Sequence, residues 1–421
     1  MSTRTYPTAL SELVEDMSLS QRGNLIHLDS CLHDLWGLGQ NVILSWCPDG
    51  DGISVLMVPH YAVATYANEA STDDAEAEDV RTEADTAVPR APSEDFFKTL
   101  ISGRRKLLPR QMKNVATLLS IEKVHFRLRS RLTGTPREEE FIEQMVKRYS
   151  ISYVPSRAVA LFDIVGFSLL NPFEQMTQLN SLSYSINSAQ SKLLSKEIGI
   201  DFGRSTTGDG FYLWNRDLGL AANINLYHFM HLVLADNAIA RRKGAQNTVP
   251  KLRAGFHVGS SYEFHQAEGL NPTVYNYIVG DVTVELARMI DRAMPGQILV
   301  GEFSPESLRQ YGFSGDETSL DSLDFIVKAT EMLEQLSGVE LSGEKIGSIK
   351  CYLTGEPRDK GGYTVRKISI QDKHGIFRNV FNAKVNIYRE HAEPILLGIE
   401  DRTLAAGGMV ADGFEHLLHG D

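Results

Sequence analysis

Apolar residues recur at two different intervals along this chain, and the interval changes at identifiable points. Between residues 150 and 356, strand-like runs alternate with stretches in which apolar residues recur every three or four positions. Strands and helices in this order favour an antiparallel-rich sheet covered by helices, which is an α+β arrangement. Strands are predicted at 158–162, 251–258, 275–279 and 297–300, and helices at 173–197, 218–242, 281–294 and from about 304.

The first part of the chain carries a different pattern. Residues 1–66 combine an early helical repeat with two strand-like runs, at 41–46 and 53–58. The turn between the runs resembles a fragment of a calcium loop, but it lacks the later acidic ligand, so we interpret it as a hairpin turn. The pattern predicts a small N-terminal module.

Charge divides the following residues into two segments. Residues 67–95 are rich in Asp and Glu and poor in apolar residues, which predicts an acidic flexible linker. Residues 96–150 reverse the charge and carry apolar residues at roughly helical intervals, which predicts a basic helical connector. The connector could transmit a signal to the next domain, bind an acidic partner such as the linker, or simply present a solvated helical face.

The pattern after residue 356 is β-rich. Residues 363–370 and 383–388 alternate apolar and polar positions, and a plausible turn lies at 372–375. We therefore predict a small C-terminal β domain over 357–421.

Composition narrows the range of functions. The net charge of −12 argues against general nucleic-acid binding. The three cysteines are widely separated and form neither a disulfide framework nor a zinc pattern, which fits a reducing cytoplasm. Neither a signal peptide nor an apolar run near the ~20 residues of a membrane span is visible, so a cytoplasmic protein without a membrane span is expected.

Two aspartates suggest a metal site. Asp163 follows an apolar run that breaks at Gly166, and Asp209 lies in a Gly-Asp-Gly turn between two strand-like runs. Each frame alone also fits a plainer role, a helix cap or a common turn. Together, about 45 residues apart and in this order, they predict two carboxylates that meet over one point and could cage Mg²⁺ or Mn²⁺ with a triphosphate.

Four stretches together resemble the catalytic domain of class III nucleotidyl cyclases, the adenylate/guanylate cyclase homology domain. They are 162–168 (FDIVGFS), 207–211 (TGDGF), 252–259 (LRAGFHVG), and 279–281 running through 287–289 to 295–300. The match covers about half of the chain. It implies a ferredoxin-like βαββαβ core within residues 151–356 and a head-to-tail homodimer with active sites between the subunits.

The resemblance implies conversion of a nucleoside triphosphate, ATP by default, into a 3′,5′-cyclic nucleotide and pyrophosphate for signal transduction. Asp163, Asp209 and the carbonyl of Ile164 would hold two Mg²⁺ or Mn²⁺ ions per site, which would activate the ribose 3′-hydroxyl and neutralise the phosphates. The turn after Asp163 would open a helix whose amides bind phosphate oxygens. The residues implied there are Ile164, Val165, Gly166, Phe167 and Ser168.

Three further residues take roles from the resemblance. Arg288 lies at the position of the transition-state arginine, which donates hydrogen bonds to the α-phosphate. A helix-surface ion pair with Glu285 or Asp291 is the alternative for Arg288. Lys345 would bind the terminal phosphates, and an exposed loop lysine fits it equally well. His257 is interpreted as structural and not as a metal ligand.

Three positions depart from the family pattern. Val284 stands where an asparagine usually orients the ribose, so a hydrogen-bond partner is lost. Ser205 and Tyr277 occupy the base-reading positions and match neither the adenylate nor the guanylate pattern. Tyr277 is bulky, so it could shrink the pocket to suit a pyrimidine, or it could serve packing alone.

These departures leave alternatives open. One is a pyrimidine (CTP/UTP) cyclase of an anti-phage signalling system. Another is a catalytically weak nucleotide-binding regulatory domain, which Val284 favours and the retention of both aspartates disfavours. A palm-type polymerase or diguanylate cyclase is disfavoured because the Gly-Gly-Asp/Glu-Glu-Phe signature is absent from the sequence.

Overall fold

The chain divides into two compact units in the computed structural model. The N-terminal unit comprises Met1–Val154 and Tyr262–Tyr277, and the C-terminal unit comprises Pro155–Ser261 and Ile278–Asp421. The structure describes residues 17–63, 94–267, 274–303, 320–355, 364–372, 374–400 and 416–417.

The N-terminal unit contains a three-stranded antiparallel sheet in the order β1-β2-β3, packed against helices. The predicted hairpin turn is confirmed, because Asp49 pairs with Gly52 across it. Trp46 and Phe141 are fully buried in the core of this unit. The elements are α1 (Leu19–Trp36), β1 (Asn41–Asp49), β2 (Gly52–Pro59), α2 (Glu94–Ser102), α3 (Pro109–Leu118), β3 (Val124–Arg127) and α4 (Pro136–Arg148).

The expected basic connector forms three helices and a strand within this unit. One of its basic residues, Arg105, is buried, and its guanidinium donates to the carbonyl oxygens of Ile101 at 2.6 Å and Ile151 at 2.9 Å. Burial lowers the pKa of Arg105 to about 10, and the charge of Glu143 opposes this shift. The expected linker lies outside the described residues except for its last two, which begin α2.

The C-terminal unit is built on a large mixed sheet whose main path runs β10-β11-β13-β9-β7-β4-β6-β5. Strands β4, β7 and β8 have residues in both units. The elements are β4 (Ile151–Ile164), α5 (Pro172–Leu194), β5 (Phe202–Thr206), β6 (Gly210–Asn215), α6 (Leu220–Lys243), β7 (Leu252–Ala267), β8 (Val274–Val279), α7 (Asp281–Arg292), β9 (Ile298–Gly301), α8 (Ser322–Glu331), β10 (Glu340–Leu341), β11 (Glu344–Leu353), β12 (Val365–Gln371), β13 (Phe377–Arg389), β14 (Ile395–Leu397) and β15 (His416–Leu417).

The predicted α+β character is confirmed, and the sheet is mixed because β7 and β9 run parallel. Strands β12 and β13 come from the stretch that was expected to form a separate C-terminal domain. Both belong to this sheet, and β13 pairs with β9 on one side and β11 on the other. The helix expected from about residue 304 lies outside the described residues.

Side chains on the two faces of the sheet enter separate cores. In β4, Phe162 packs with α5, α6 and α8, whereas its neighbour Leu161 packs with α7 and the β12–β13 hairpin. This alternation follows from the two-residue repeat of a strand. Helix α6 is buried on most of its surface, because it lies within the first of these cores.

Candidate active site

The carboxylate of Asp163 lies at the end of β4 and is 7% exposed. Across the antiparallel β4–β6 pair, Asp163 is opposite Gly210, the residue after Asp209. The backbone amide of Ile164 donates to the carbonyl oxygen of Asp209 at 3.0 Å. Asp163 near the end of β4 and Asp209 in the turn before β6 therefore come from directly bonded stretches of the chain, whereas the meeting of their carboxylates over one point stays a prediction.

Glycines make this close approach possible. A Cβ atom at Gly210 would lie 1.9 Å from the carbonyl oxygen of Phe162, so a larger residue cannot stand opposite Asp163. Gly208 has φ +98°, which favours glycine in the turn before Asp209. The Asp209 carboxylate accepts a hydrogen bond from the Thr207 hydroxyl at 3.2 Å.

Arg253 of β7 is the direct partner of Asp163. Its Nε donates to Oδ2 of Asp163 at 2.6 Å, and its Nη1 donates to the carbonyl oxygen of Ala293 at 3.2 Å. The sequence analysis gives Arg253 no role beyond its place in the stretch 252–259, and the contact shows that this residue orients the aspartate. The sequence contains one indication of this contact, because side-chain alternation along β7 places Arg253 on a defined face of the strand.

The electrostatics of Asp163 distinguish it from an ordinary ion-paired aspartate. Burial raises the pKa of Asp163, and the bond to Arg253 opposes this without cancelling it. The negative charges of Asp209 and Asp291 raise that pKa further. The carboxylate is thus short of positive charge, an environment in which a cation would stabilise the ionised form.

The turn after β4 differs in detail from the expectation. Gly166 has φ +72°, and the following residues, Phe167–Leu169, form a single 3₁₀ turn. Helix α5 begins only at Pro172, where Asn171 and Glu174 form a capping box. The expected helix opening directly at Gly166 is therefore a short 3₁₀ turn, and the amides at the start of α5 are already satisfied in part by side chains.

Helix α7 carries Arg288 and Val284. The ion pair of Arg288 is made with Asp372 of the β12–β13 turn, at 3.7 Å from Nε to Oδ2. Neither of the anticipated partners on its own helix takes that place, and Glu285 instead accepts from Arg378 at 2.7 Å. Val284 is 48% exposed on the same helix.

No hydrogen bond or ion pair within the described residues joins Asp163 to the other predicted residues, Ser205, Tyr277 and Lys345. Ser205 is half-buried on β5, opposite Tyr212. Tyr277 belongs to the N-terminal unit, where its ring stacks on Phe264 at 5.7 Å. Lys345 is exposed on β11, which three strands separate from β4.

His257 of β7 is buried, and burial lowers its pKa to about 4. Its ring fills the space above Gly301, where a Cβ atom would lie 2.2 Å from Nδ1. The neutral, tightly packed ring agrees with the structural interpretation of this residue.

Sequence reasoning missed Asp372 and Arg378. Both come from the predicted C-terminal β domain, for which the sequence analysis names only a turn at 372–375, and Arg378 donates to Asp372 Oδ2 at 2.6 Å. In the sequence, only the turn that begins at Asp372 pointed to these residues, and turns of this kind are common in hairpins.

Among the described residues, no group of three or more His, Cys, Asp or Glu side chains is placed to hold a metal ion. The carboxylates of Asp163 and Asp209 with the carbonyl of Ile164 are nevertheless oxygen donors of the kind that Mg²⁺ and Mn²⁺ accept when substrate oxygens and water complete the shell. No helix in the described part of the chain is long and apolar enough to cross a bilayer.

No family model matches the chain, and no curated protein matches its sequence. Among solved structures, the guanylate cyclase domain of RhGC from Catenaria anguillulae in complex with GTP is 12% identical, covering 57% of this chain and 99% of its own, with a TM-score of 0.33. The adenylyl cyclase CyaB from P. aeruginosa is 14% identical, covering 56% and 95%, with a TM-score of 0.30. A class III adenylyl cyclase-like ATP-binding protein from Pseudomonas aeruginosa is 10% identical, covering 45% and 41%, with a TM-score of 0.31. Similarity at this level does not assign an activity.

Proposed function

We propose that this protein is a nucleotidyl cyclase, which converts a nucleoside triphosphate into a 3′,5′-cyclic nucleotide and pyrophosphate. The observation that carries the proposal is the pairing of Asp163 with the Asp209 turn, joined by the bond from Ile164 N to Asp209 O at 3.0 Å. The raised pKa of Asp163 supports it, because carboxylates with such shifts cluster at functional sites.

The order of elements supports the finer fold proposal. Strands and helices β4, α5, β5, β6, α6 and β7 follow one another as βαββαβ, and the four strands lie in the spatial order β7-β4-β6-β5. This is the arrangement expected of a ferredoxin-like core. It places Asp163 on a central strand, with Asp209 beside it.

Each residue of the site would have a defined role. Asp163, Asp209 and the Ile164 carbonyl would hold two Mg²⁺ or Mn²⁺ ions, which when bound lower the pKa of the ribose 3′-hydroxyl and neutralise phosphate charge. Arg253 holds the Asp163 carboxylate in its orientation. The amides of residues 165–168 would bind phosphate oxygens, and Arg288 would donate to the α-phosphate as charge develops.

We propose that the active unit is a head-to-tail homodimer with composite sites. Exposed apolar side chains near the 3₁₀ turn, Leu169 at 89% and Phe173 at 74%, support an interface on this side of the unit. Mixing an Asp163→Ala subunit with an Arg288→Ala subunit should then restore some activity. Recovery absent from demonstrated mixed dimers would argue against shared sites.

The decisive experiment incubates the protein with Mn²⁺ and, separately, ATP, GTP, CTP and UTP, and identifies the products by mass spectrometry. A cyclic nucleotide that disappears with Asp163→Ala but persists with Asp201→Ala would support the proposal. Asp201 is a suitable control because it is an exposed carboxylate, paired with Arg216 at the far end of the β5–β6 hairpin. ATP is the default substrate, and a product from CTP or UTP alone would support the pyrimidine alternative for Ser205 and Tyr277.

A nucleotide-binding regulatory domain is the second candidate. The exposed aliphatic side chain of Val284 favours it, because an asparagine amide would be needed there to orient a ribose. Tight nucleotide binding without pyrophosphate release from any of the four triphosphates would establish this candidate.

A further inference from the structure

Four charged side chains connect α7 to the β12–β13 hairpin. Arg378 lies in the middle, donating through Nε to Glu285 at 2.7 Å and through Nη1 to Asp372 at 2.6 Å. Asp372 Oδ2 also faces Nε of Arg288 at 3.7 Å. Two carboxylates and two guanidinium groups therefore alternate along one line of contact.

The Asp372 carboxylate is held rigidly. Its Oδ1 accepts from the backbone amides of His374 at 2.8 Å and Ile376 at 3.0 Å, and its side chain is 3% exposed. Burial acts to raise the pKa of Asp372, but these amides and Arg378 lower it overall, so the group stays ionised at neutral pH.

The hairpin is fixed along the same helix by other contacts. Ile370 and Val380 of the hairpin pack in one apolar cluster with Leu286 and Ile290 of α7. One turn beyond Arg288, Arg292 Nε donates to the carbonyl oxygen of Gln371 at 2.8 Å. The position of Asp372 relative to α7 is therefore set by packing on both sides of the ion pair.

We propose that Asp372 is a positioning residue for Arg288, which rests on the proposed cyclase function. Asp372 faces the Nε side of the guanidinium, and no hydrogen bond joins the Nη groups of Arg288 to any residue within the described ranges. The terminal nitrogens are thus left to donate to a substrate phosphate. A long arginine side chain held from one side needs less reorganisation in the transition state.

The test is a double-mutant cycle in turnover. Asp372→Asn keeps an acceptor for the turn amides of His374 and Ile376 and removes the negative charge facing Arg288. It should lower kcat about tenfold while KM changes less than about twofold, since an interaction effective only in the transition state is lost. In the Arg288→Ala background, the same change should cause no further loss, because the group it positions is gone.

Glu302→Gln is the matched control. Glu302 ties β9 to the same hairpin through Lys367 at 2.6 Å, without facing an α7 arginine. Its loss should leave kcat unchanged. A second variant, Arg378→Gln, leaves Asp372 facing Arg288 and should keep kcat within about twofold of the native value, because the bonds from the turn amides remain.

The outcomes separate the two proposals. A native protein inactive on all four triphosphates overturns both. An active native protein in which the Asp372→Asn and Arg288→Ala losses multiply, or in which KM rises instead, overturns the positioning role and leaves the cyclase proposal standing. If Asp372→Asn does not fold, a fall in kcat for Arg378→Gln as large as that of Arg288→Ala overturns the role as well.

Discussion

Among the buried carboxylates, Glu143 of the N-terminal unit and Asp163 of the C-terminal unit have opposite surroundings. In the N-terminal unit, Glu143 is 2% exposed and accepts from the Trp46 indole at 2.9 Å and from the amides of Arg105 at 2.5 Å and Lys106 at 3.1 Å. In the C-terminal unit, Asp163 accepts from Arg253 and lies beside further negative charge.

The difference separates a carboxylate whose hydrogen bonds hold the fold together from one that we propose takes part in chemistry. Glu143 satisfies three donors from two segments, so its charge is used by the structure itself. Asp163 carries a raised pKa even though it has an ion-pair partner. Such residual electrostatic cost is expected where a group serves function, because the protein gains nothing from it in the resting fold.

The substitution with the largest expected effect on this difference between Glu143 and Asp163 is Asp163→Asn. We expect turnover to fall by at least about 10³-fold, because the proposed metal ligand is lost. The melting temperature should stay within a few degrees of the native value or rise, because the ionised carboxylate is already disfavoured at this position. Cyclase assays and thermal unfolding of the same preparation give both values. Activity close to native would remove Asp163 from the site.

Arg288→Ala tests the proposed transition-state donor instead of a carboxylate. The rate should fall by about 10²–10³, the usual loss when one transition-state donor is removed. Steady-state kinetics with the active triphosphate measures it. An unchanged rate would make Arg288 a structural partner of Asp372 only.

Glu143→Gln tests the structural carboxylate. The amide presents an NH₂ group to the backbone donors of Arg105 and Lys106, so stability should fall by about 2–4 kcal/mol. Denaturant unfolding of the native and variant chains measures this difference. A variant as stable as the native chain would show that Glu143 is as dispensable to the fold as we expect Asp163 to be.

Lowering the pH should destabilise the C-terminal unit more than the N-terminal unit, and the effect per titrating group is the smallest of those predicted. Burial lowers the pKa of His228 and His257 to about 4, and that of His231 well below its usual value. As pH falls below about 6.5, these histidines take up protons in the unfolded chain before they do so in the folded chain, so the free energy of unfolding decreases. For each histidine with a pKa of about 4, the decrease between pH 7 and pH 5 is about 2 kcal/mol. The raised pKa of Asp163 acts with the opposite sign.

Chemical unfolding at a series of pH values checks this expectation. Every described histidine of the N-terminal unit is at least partly exposed, so the C-terminal unit should respond first. Neither ring nitrogen of His231 has a hydrogen-bond partner among the described residues. His231→Phe should therefore reduce the slope of the unfolding free energy against pH. An unchanged slope would mean that His231 does not contribute to it.

Local pattern predicted much of the secondary structure. The helix expected at 173–197 is Pro172–Leu194, because its apolar repeat lies within the segment and its capping residue, Asn171, directly precedes it. The adjacency of Asp163 and Asp209 was also predictable, since each lies in a recognisable local motif. Asp163 follows an apolar strand, and Asp209 lies in the turn of a neighbouring hairpin. Their metal-binding role stays a prediction.

Contacts between distant segments were not predictable in the same way. Arg253 lies 90 positions from Asp163, and a single sequence does not show which of its many arginines reaches that carboxylate. Burial of Arg105 depends on carbonyl groups supplied by folding, so it looked like any other member of a basic run. The hairpin at Asp372 looked inert because its partners lie on α7.

The place of β13 between β9 and β11 also bears on how the protein is made. On the ribosome, the strands that carry Asp163, Asp209 and Arg253 emerge well before residue 377. Until β13 arrives, the outer edge of β9 has no partner, and an unpaired edge invites pairing with another chain. Slow synthesis across this interval would therefore lengthen the time for which this edge stays unpaired, even though every residue proposed for metal binding had already been made.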